Sequence, residues 1–208
     1  MATPSIAELR TTWANRPVFS NSRMNRAAIG LLADARPVTA EALAAATGEP
    51  VAQARAHIEA AAGLGYEVED GTLVGAALTL RPTRHRFRVR GHGLYTWCGF
   101  DALFLPIMLR ERAEVASTCP ITGTDITVTV EPDGTPSLAS PESTVVGIVG
   151  HDITSCCTTT GPQSDVCTQM PLFASRQAGE RWQAGHAGVG IIDLHDAREI
   201  ARAYVAAR

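Results

Sequence analysis

Apolar positions recur at helical spacing through the first third of the chain, then give way to short alternating or continuous runs. Residues 22–35, SRMNRAAIGLLADA, set apolar side chains three and four apart, the pattern of a helix with one buried face. PVTAEALAAATG follows, with Thr39 placed as an N-cap and Gly48 as a stop. EPVAQARAHIEAAAGLG predicts a second short helix, opened near Pro50 and ended by Gly63 and Gly65. In YEVEDGTLVGAALTL, Asp70-Gly71 separates two strand-like runs, a hairpin signal. Helix, turn, helix and hairpin in that order outline a winged helix-turn-helix.

The pattern then changes. In LRPTRHRFRVRGHG, Arg84, Arg86, Arg88 and Arg90 alternate with His85, Phe87 and Val89. Period two predicts a strand with one charged face, solvated or protecting a sheet edge. WCGFDALFLPIMLRER predicts a helix interrupted or kinked at Pro106. AEVAST, ITVTV and TVVGIV read as strands separated by the turns CPITGTD and EPDGTPS. MPLFAS reads as a buried strand running into a helix, SRQAGERWQAG, with Ser175 as its N-cap. VGIIDL is a last strand before a closing helix, HDAREIARAYVAAR. Residues from about 150 to 169 read as a polar loop with Gly and Pro that holds three cysteines. The expectation is an α+β protein: an N-terminal winged-helix-like helical domain over 1–80, then a domain of mixed β-sheet and helices over 81–208.

Composition narrows the function. A chain of 208 residues that is 45% hydrophobic and 19% charged is that of a globular protein with a real core. No apolar run approaches the roughly 20 residues that cross a bilayer. The N-terminus MATPSIAELRTTW has no basic stretch followed by an apolar one, so a cytoplasmic location is expected. A net charge of −3 argues against bulk electrostatic binding to nucleic acid or anionic membrane. The second helix of the N-terminal unit offers only Gln53, Arg55 and His57 among alanines, opposed by Glu59, a poor surface for reading DNA. Lysine is absent, which removes lysine Schiff-base chemistry and phosphate-loop lysines. Cys98, Cys119, Cys156, Cys157 and Cys167 make five cysteines, an odd count that argues against a disulfide framework.

The greasiest segment, GLYTWCGFDALFLP, holds Cys98 and, three residues on, Asp101. Apolar neighbours would desolvate both, and desolvation raises a carboxyl pKa until the group can act as a general acid. A thiol in such a place suits covalent catalysis, given a base such as His92 or His151 brought close in space, or capture of a soft metal. A structural zinc site fits poorly: there is no C-x-x-C pair, and Cys156-Cys157 are adjacent.

The winged-helix-like start, the LTLRPT strand, LYTWCGFDALFLP, VASTCPITG and a late cysteine six residues before FAS together resemble the alkylmercury (organomercurial) lyases. The resemblance runs from about residue 24 to 200. It implies the lyase type of catalytic domain and protonolysis of carbon–mercury bonds, giving a hydrocarbon and Hg(II). It implies two mercury-binding cysteines, Cys98 and Cys167, with Asp101 as proton donor, and a structural role for Cys119. The chain departs from the pattern around Cys167, preceded by Val166 and followed by Thr168-Gln169 where the family has an aromatic residue before and Cys or His soon after. The extra Cys156-Cys157 pair could therefore replace Cys167 or relay mercury, and Asp101 could join as a ligand. The resemblance implies no required cofactor, external thiols as mercury acceptors and hand-off to a mercuric reductase; charge and hydropathy add that no membrane partner is expected and that DNA is disfavoured. Two other readings remain at this point: a metal- or thiol-responsive winged-helix regulator, and a soft-metal binder without catalysis.

Overall fold

A computed structural model of the chain describes residues 4–15, 23–63, 66–150 and 165–206. Helix α1 (Ile6–Ala14) opens with a capping box in which Ser5 and Glu8 satisfy each other's backbone N–H groups. Helices α2 (Arg23–Leu32), α3 (Ala40–Thr47) and α4 (Val51–Ala62) follow. Thr39 and Gly48 cap α3 as its sequence predicts, the Thr39 hydroxyl accepting the Ala42 N–H. Strands β1 (Glu67–Glu69) and β2 (Thr72–Ala76) pair antiparallel. Between them Asp70 and Gly71 take φ of 48° and 73°, the left-handed pair of a tight hairpin turn. A bridge between Val38 and Leu73 fastens this wing to the helices.

The rest of the chain runs β3 (Leu78–Thr79), β4 (His85–Val89), β5 (His92–Thr96), α5 (Gly99–Leu109), β6 (Ala113–Thr118), β7 (Asp125–Val130) and β8 (Pro136–Ser140), then β9 (Val145–Val149), α6 (Asp165–Thr168), β10 (Leu172–Phe173), α7 (Arg176–Gln183), β11 (Val189–Asp193) and α8 (Leu194–Ala206). The first eight strands form one sheet in the order β1-β2-β3-β5-β4-β6-β7-β8, and β10-β9-β11 form a second. The wing therefore continues into the large sheet. The α+β class holds, and every described pairing is antiparallel rather than mixed.

Three local expectations change. Strand β4 lies between β5 and β6 and is no edge. Its Arg86 and Arg88 do face solvent, while His85, Phe87 and Val89 are buried. Arg90 leaves the strand for the turn and ties the two parts of the chain, reaching Asp34 at 2.9 Å and Glu111 at 2.7 Å. Strand β8, which borders the EPDGTPS turn, is too polar and exposed to show period two. Helix α5 continues through Pro106 to Leu109.

Helix α5 is the centre of the molecule. Its residues Gly99 to Pro106 are all buried, as expected of a helix apolar on every side. Helices α1 and α8 cover it through an aromatic cluster: Trp13 lies 4.5 Å from Phe100, and Tyr204 lies 4.9 Å from Phe104 between ring centroids. The Trp13 Nε1 donates to the Val149 carbonyl at 3.0 Å, so the buried indole satisfies its one polar atom. Among the described residues, no helix is long and apolar enough to cross a membrane.

Candidate active site

Cys98 is not inside α5 but is its N-cap. The three-residue spacing is that of a capping box. The Asp101 N–H donates to Cys98 Sγ at 3.4 Å, and the Cys98 N–H donates to Asp101 Oδ2 at 3.0 Å. The box usually uses Ser or Thr with Glu or Gln. Here a thiol and a shorter carboxylate take those places, which fixes both functional groups on the same helical turn. Position N3 also puts the carboxylate at the positive end of the helix dipole.

Cys167 arrives from the other side. It sits on the one-turn helix α6, where the sequence predicted loop. The chain then turns back, and the Met170 carbonyl accepts the Gly99 N–H at 2.8 Å. Gly99 is needed for this approach: a Cβ there would lie 2.9 Å from the Met170 oxygen and 3.0 Å from the Leu172 nitrogen. Both obstacles are backbone. Gly99→Ala should therefore push Cys98 away from Cys167. A misplacement of about 1 Å can lower turnover about 100-fold. We expect that loss in kcat/KM together with a lower melting temperature, since backbone has to yield to the added methyl group, read by turnover and thermal unfolding.

Cys98 Sγ, a carboxylate oxygen of Asp101 and Cys167 Sγ all lie within 4.8 Å of one another, and all three residues are buried. Among the described residues, no other His, Cys, Asp or Glu group converges in this way. Burial pushes the Cys98 pKa up to about 11. A hydrogen bond from the Cys167 thiol pulls it down, and the nearby Asp101 charge raises it again. At neutral pH Cys98 is a protonated thiol that gives up its proton only when something replaces it.

A cavity of about 290 Å³ borders Cys167, lined also by Thr83, Arg84, His85, Trp97, Pro171 and Trp182. His85 is the histidine the structure brings here; His92 is exposed on the β4–β5 hairpin, and His151 lies outside the described residues. Burial, helped by Arg84, holds the His85 pKa down at about 3, and its Nδ1 lies 2.9 Å from the Ser117 hydroxyl. An imidazole that stays neutral is a weak base for a thiol, which disfavours Cys–His catalysis. Cys119 is buried at the start of the β6–β7 turn and is not one of the converging three. Burial raises its pKa, but hydrogen bonds from Thr122 and from the Ala174 and Ile121 backbone outweigh that and lower it. Cys156 and Cys157 lie outside the described residues.

Known proteins resemble the chain over nearly its whole length. A sequence model of the family described as alkylmercury lyase matches residues 78–206, and one of the helix-turn-helix domain of alkylmercury lyase matches 15–77. The chain belongs to the alkylmercury lyase family, and it is an enzyme of that kind. The alkylmercury lyase of Streptomyces lividans is 37% identical over 95% of this chain and 89% of its own length. That of Staphylococcus epidermidis is 33% identical over 94% and 88%. The crystal structure of the mercury-bound form of MerB2 has the same fold, with a TM-score of 0.72 at 24% identity, covering 96% of this chain and all of that one.

Sequence reasoning missed two residues that line this cavity. His85 was legible in principle, since the RHRFRV alternation sets it on the buried face with Phe87 and Val89. Trp182 sits on α7 and reaches the cavity only through tertiary packing. In the N-terminal module, whose sequence already offers a poor surface for reading DNA, Arg55 pairs with Glu41 at 3.2 Å, and His57 Nε2 lies 2.6 Å from Asn25 Oδ1.

Proposed function

We propose that this chain cleaves organomercurials by protonolysis, releasing a hydrocarbon and Hg(II). The observation that carries the reading is the meeting of two thiols and one carboxyl group within 4.8 Å in a buried place. Thiolates select soft metals, and mercury here is substrate, not a resident cofactor. Cys98 and Cys167 each form a sulfur–mercury bond and each give up a proton. One proton leaves with the ligand that mercury brought in. Asp101 takes the other and delivers it to carbon as the carbon–mercury bond breaks. Mercury stays Hg(II) throughout, so no electrons are needed from elsewhere. The apolar walls of the cavity, Trp97, Pro171 and Trp182, suit an alkyl or aryl group and strengthen electrostatics inside the site.

The reading needs no resident cofactor. External thiols, in the cytoplasm, collect Hg(II) from the two sulfurs, and a mercuric reductase is the expected next acceptor. The chain divides into an N-terminal winged-helix-like part to residue 80 and a catalytic part from 81 to 208; the meeting of the two family matches at 77 and 78 supports this. A mercury-responsive DNA-binding regulator is less well supported, because Arg55 and His57 are already engaged within the helices. A binder without catalysis would use Asp101 only to cap the helix, and would have no use for its acidity.

The test measures methane or benzene release from methylmercury or phenylmercury in excess thiol. Cys167→Ser should lose release, and Cys156→Ser/Cys157→Ser should keep it. Loss in the double variant alone would move the second thiolate to that pair. No release from the wild type would sink the lyase reading.

A further inference from the structure

Glu67 takes no part in the chemistry above, yet the fold buries it. It lies on β1 at 6% exposure, and no salt bridge among the described residues includes it. Acidic side chains are seldom buried without a cation, because they lose their hydration. Both oxygens are engaged instead by neutral donors. Oε1 accepts the Trp97 Nε1–H at 3.1 Å, and Oε2 bonds the Thr79 hydroxyl. The Thr79 oxygen also accepts the Arg81 N–H at 3.0 Å. Gly75 on β2 leaves room for the group: a Cβ there would lie 2.3 Å from Glu67 Oε2.

The partner of this carboxyl group matters more than the group itself. Trp97 directly precedes Cys98 and lines the cavity together with Cys167. An indole has one polar atom, so a single buried acceptor at Nε1 fixes how the ring is turned. Tyr66, the residue before Glu67, meets the same ring edge-on at 5.9 Å. Two neighbouring residues at the start of the wing thus hold one wall of the cavity.

We propose that Glu67 is a positioning residue that fixes the Trp97 indole against the substrate's organic group, making the winged-helix hairpin part of the support of the active site. The proposal rests on the lyase reading. It gives the N-terminal module a role that requires no DNA, and it assigns substrate selectivity to a residue outside the catalytic set. A phenyl group rests on the indole wall, whereas a methyl group fills little of the cavity.

The test compares kcat/KM for phenylmercury and methylmercury in wild type, Glu67→Leu, Glu67→Gln, Trp97→Phe and Glu67→Leu/Trp97→Phe. Glu67→Leu should lower the phenylmercury value by about 10-fold or more, toward the 100-fold of a 1 Å misplacement, and the methylmercury value much less. Glu67→Gln, whose amide oxygen still accepts from the indole, should recover most of the loss. On the Trp97→Phe background there is no indole N–H to hold, so Glu67→Leu should add little. Losses that multiply independently in the double variant would overturn the proposal. If Glu67→Leu fails to fold, Trp97→Phe decides: it should lower the phenyl-to-methyl ratio, and an unchanged ratio overturns the proposal. An inactive wild type would sink the lyase reading and this one with it. An active wild type with unchanged ratios would sink this one alone.

Discussion

Asp101→Asn should take up mercury in the wild-type ratio and release hydrocarbon about 1,000-fold more slowly, within the range expected when a positioned general acid is removed. Asparagine is the informative replacement because Asp101 has two roles. Its Oδ2 accepts the Cys98 N–H at 3.0 Å and closes the capping box, and its carboxyl group is the proposed proton carrier. An amide oxygen can still accept that N–H, so the helix start and the Cys98 backbone stay in place. An amide cannot take a proton from a thiol and pass it to carbon. Asp101→Ala removes both roles, and the loss of a helix cap alone costs about 0.5–2 kcal/mol. Slow release in Asp101→Asn with full mercury binding isolates the proton transfer. Wild-type benzene release from the same variant would remove Asp101 from the chemistry.

Most of the fold could be read from local signals. The caps of α3, the Asp70-Gly71 turn and the buried face of α2 each depend on a few neighbouring residues, and each came out as the pattern predicts. The misses share a cause. Strand β4 carries charge on alternate positions, which looks the same at an edge and inside a sheet whose other face is covered. Strand β8 has no buried stripe to betray it.

The site divides in the same way. Cys98 and Asp101 could be found in sequence because they stand three apart in an apolar run. Their true relation, N-cap to N3, needed the helix start to be placed within one residue, which periodicity cannot do. Cys167 came from a resemblance in order and spacing. The contact that brings it to Cys98 runs through Gly99 and Met170, which are distant in sequence and chemically plain. Glu67 could not have been suspected at all, since its partners lie far along the chain, Thr79 on β3 and Trp97 just after β5.

The N-cap position of Cys98 sharpens the second large prediction. Cys98→Ser should abolish turnover while leaving the melting temperature unchanged or slightly higher. Serine is among the preferred N-cap residues, so its hydroxyl should accept the Asp101 N–H that now reaches sulfur at 3.4 Å. The exchanged atom is buried at 0% exposure in wild type, and the capping N–H satisfies the new oxygen there. Folding therefore has little to lose. Chemistry loses the soft donor: a hydroxyl gives up its proton far less readily than a thiol and does not favour mercury over harder ions. Hydrocarbon release, mercury stoichiometry and thermal unfolding, measured on one preparation, separate the two effects. A variant that folds and holds less mercury places the thiol in the reaction. A variant that unfolds would show that Cys98 mainly supports the helix start, and one that still turns over would remove it from the mechanism.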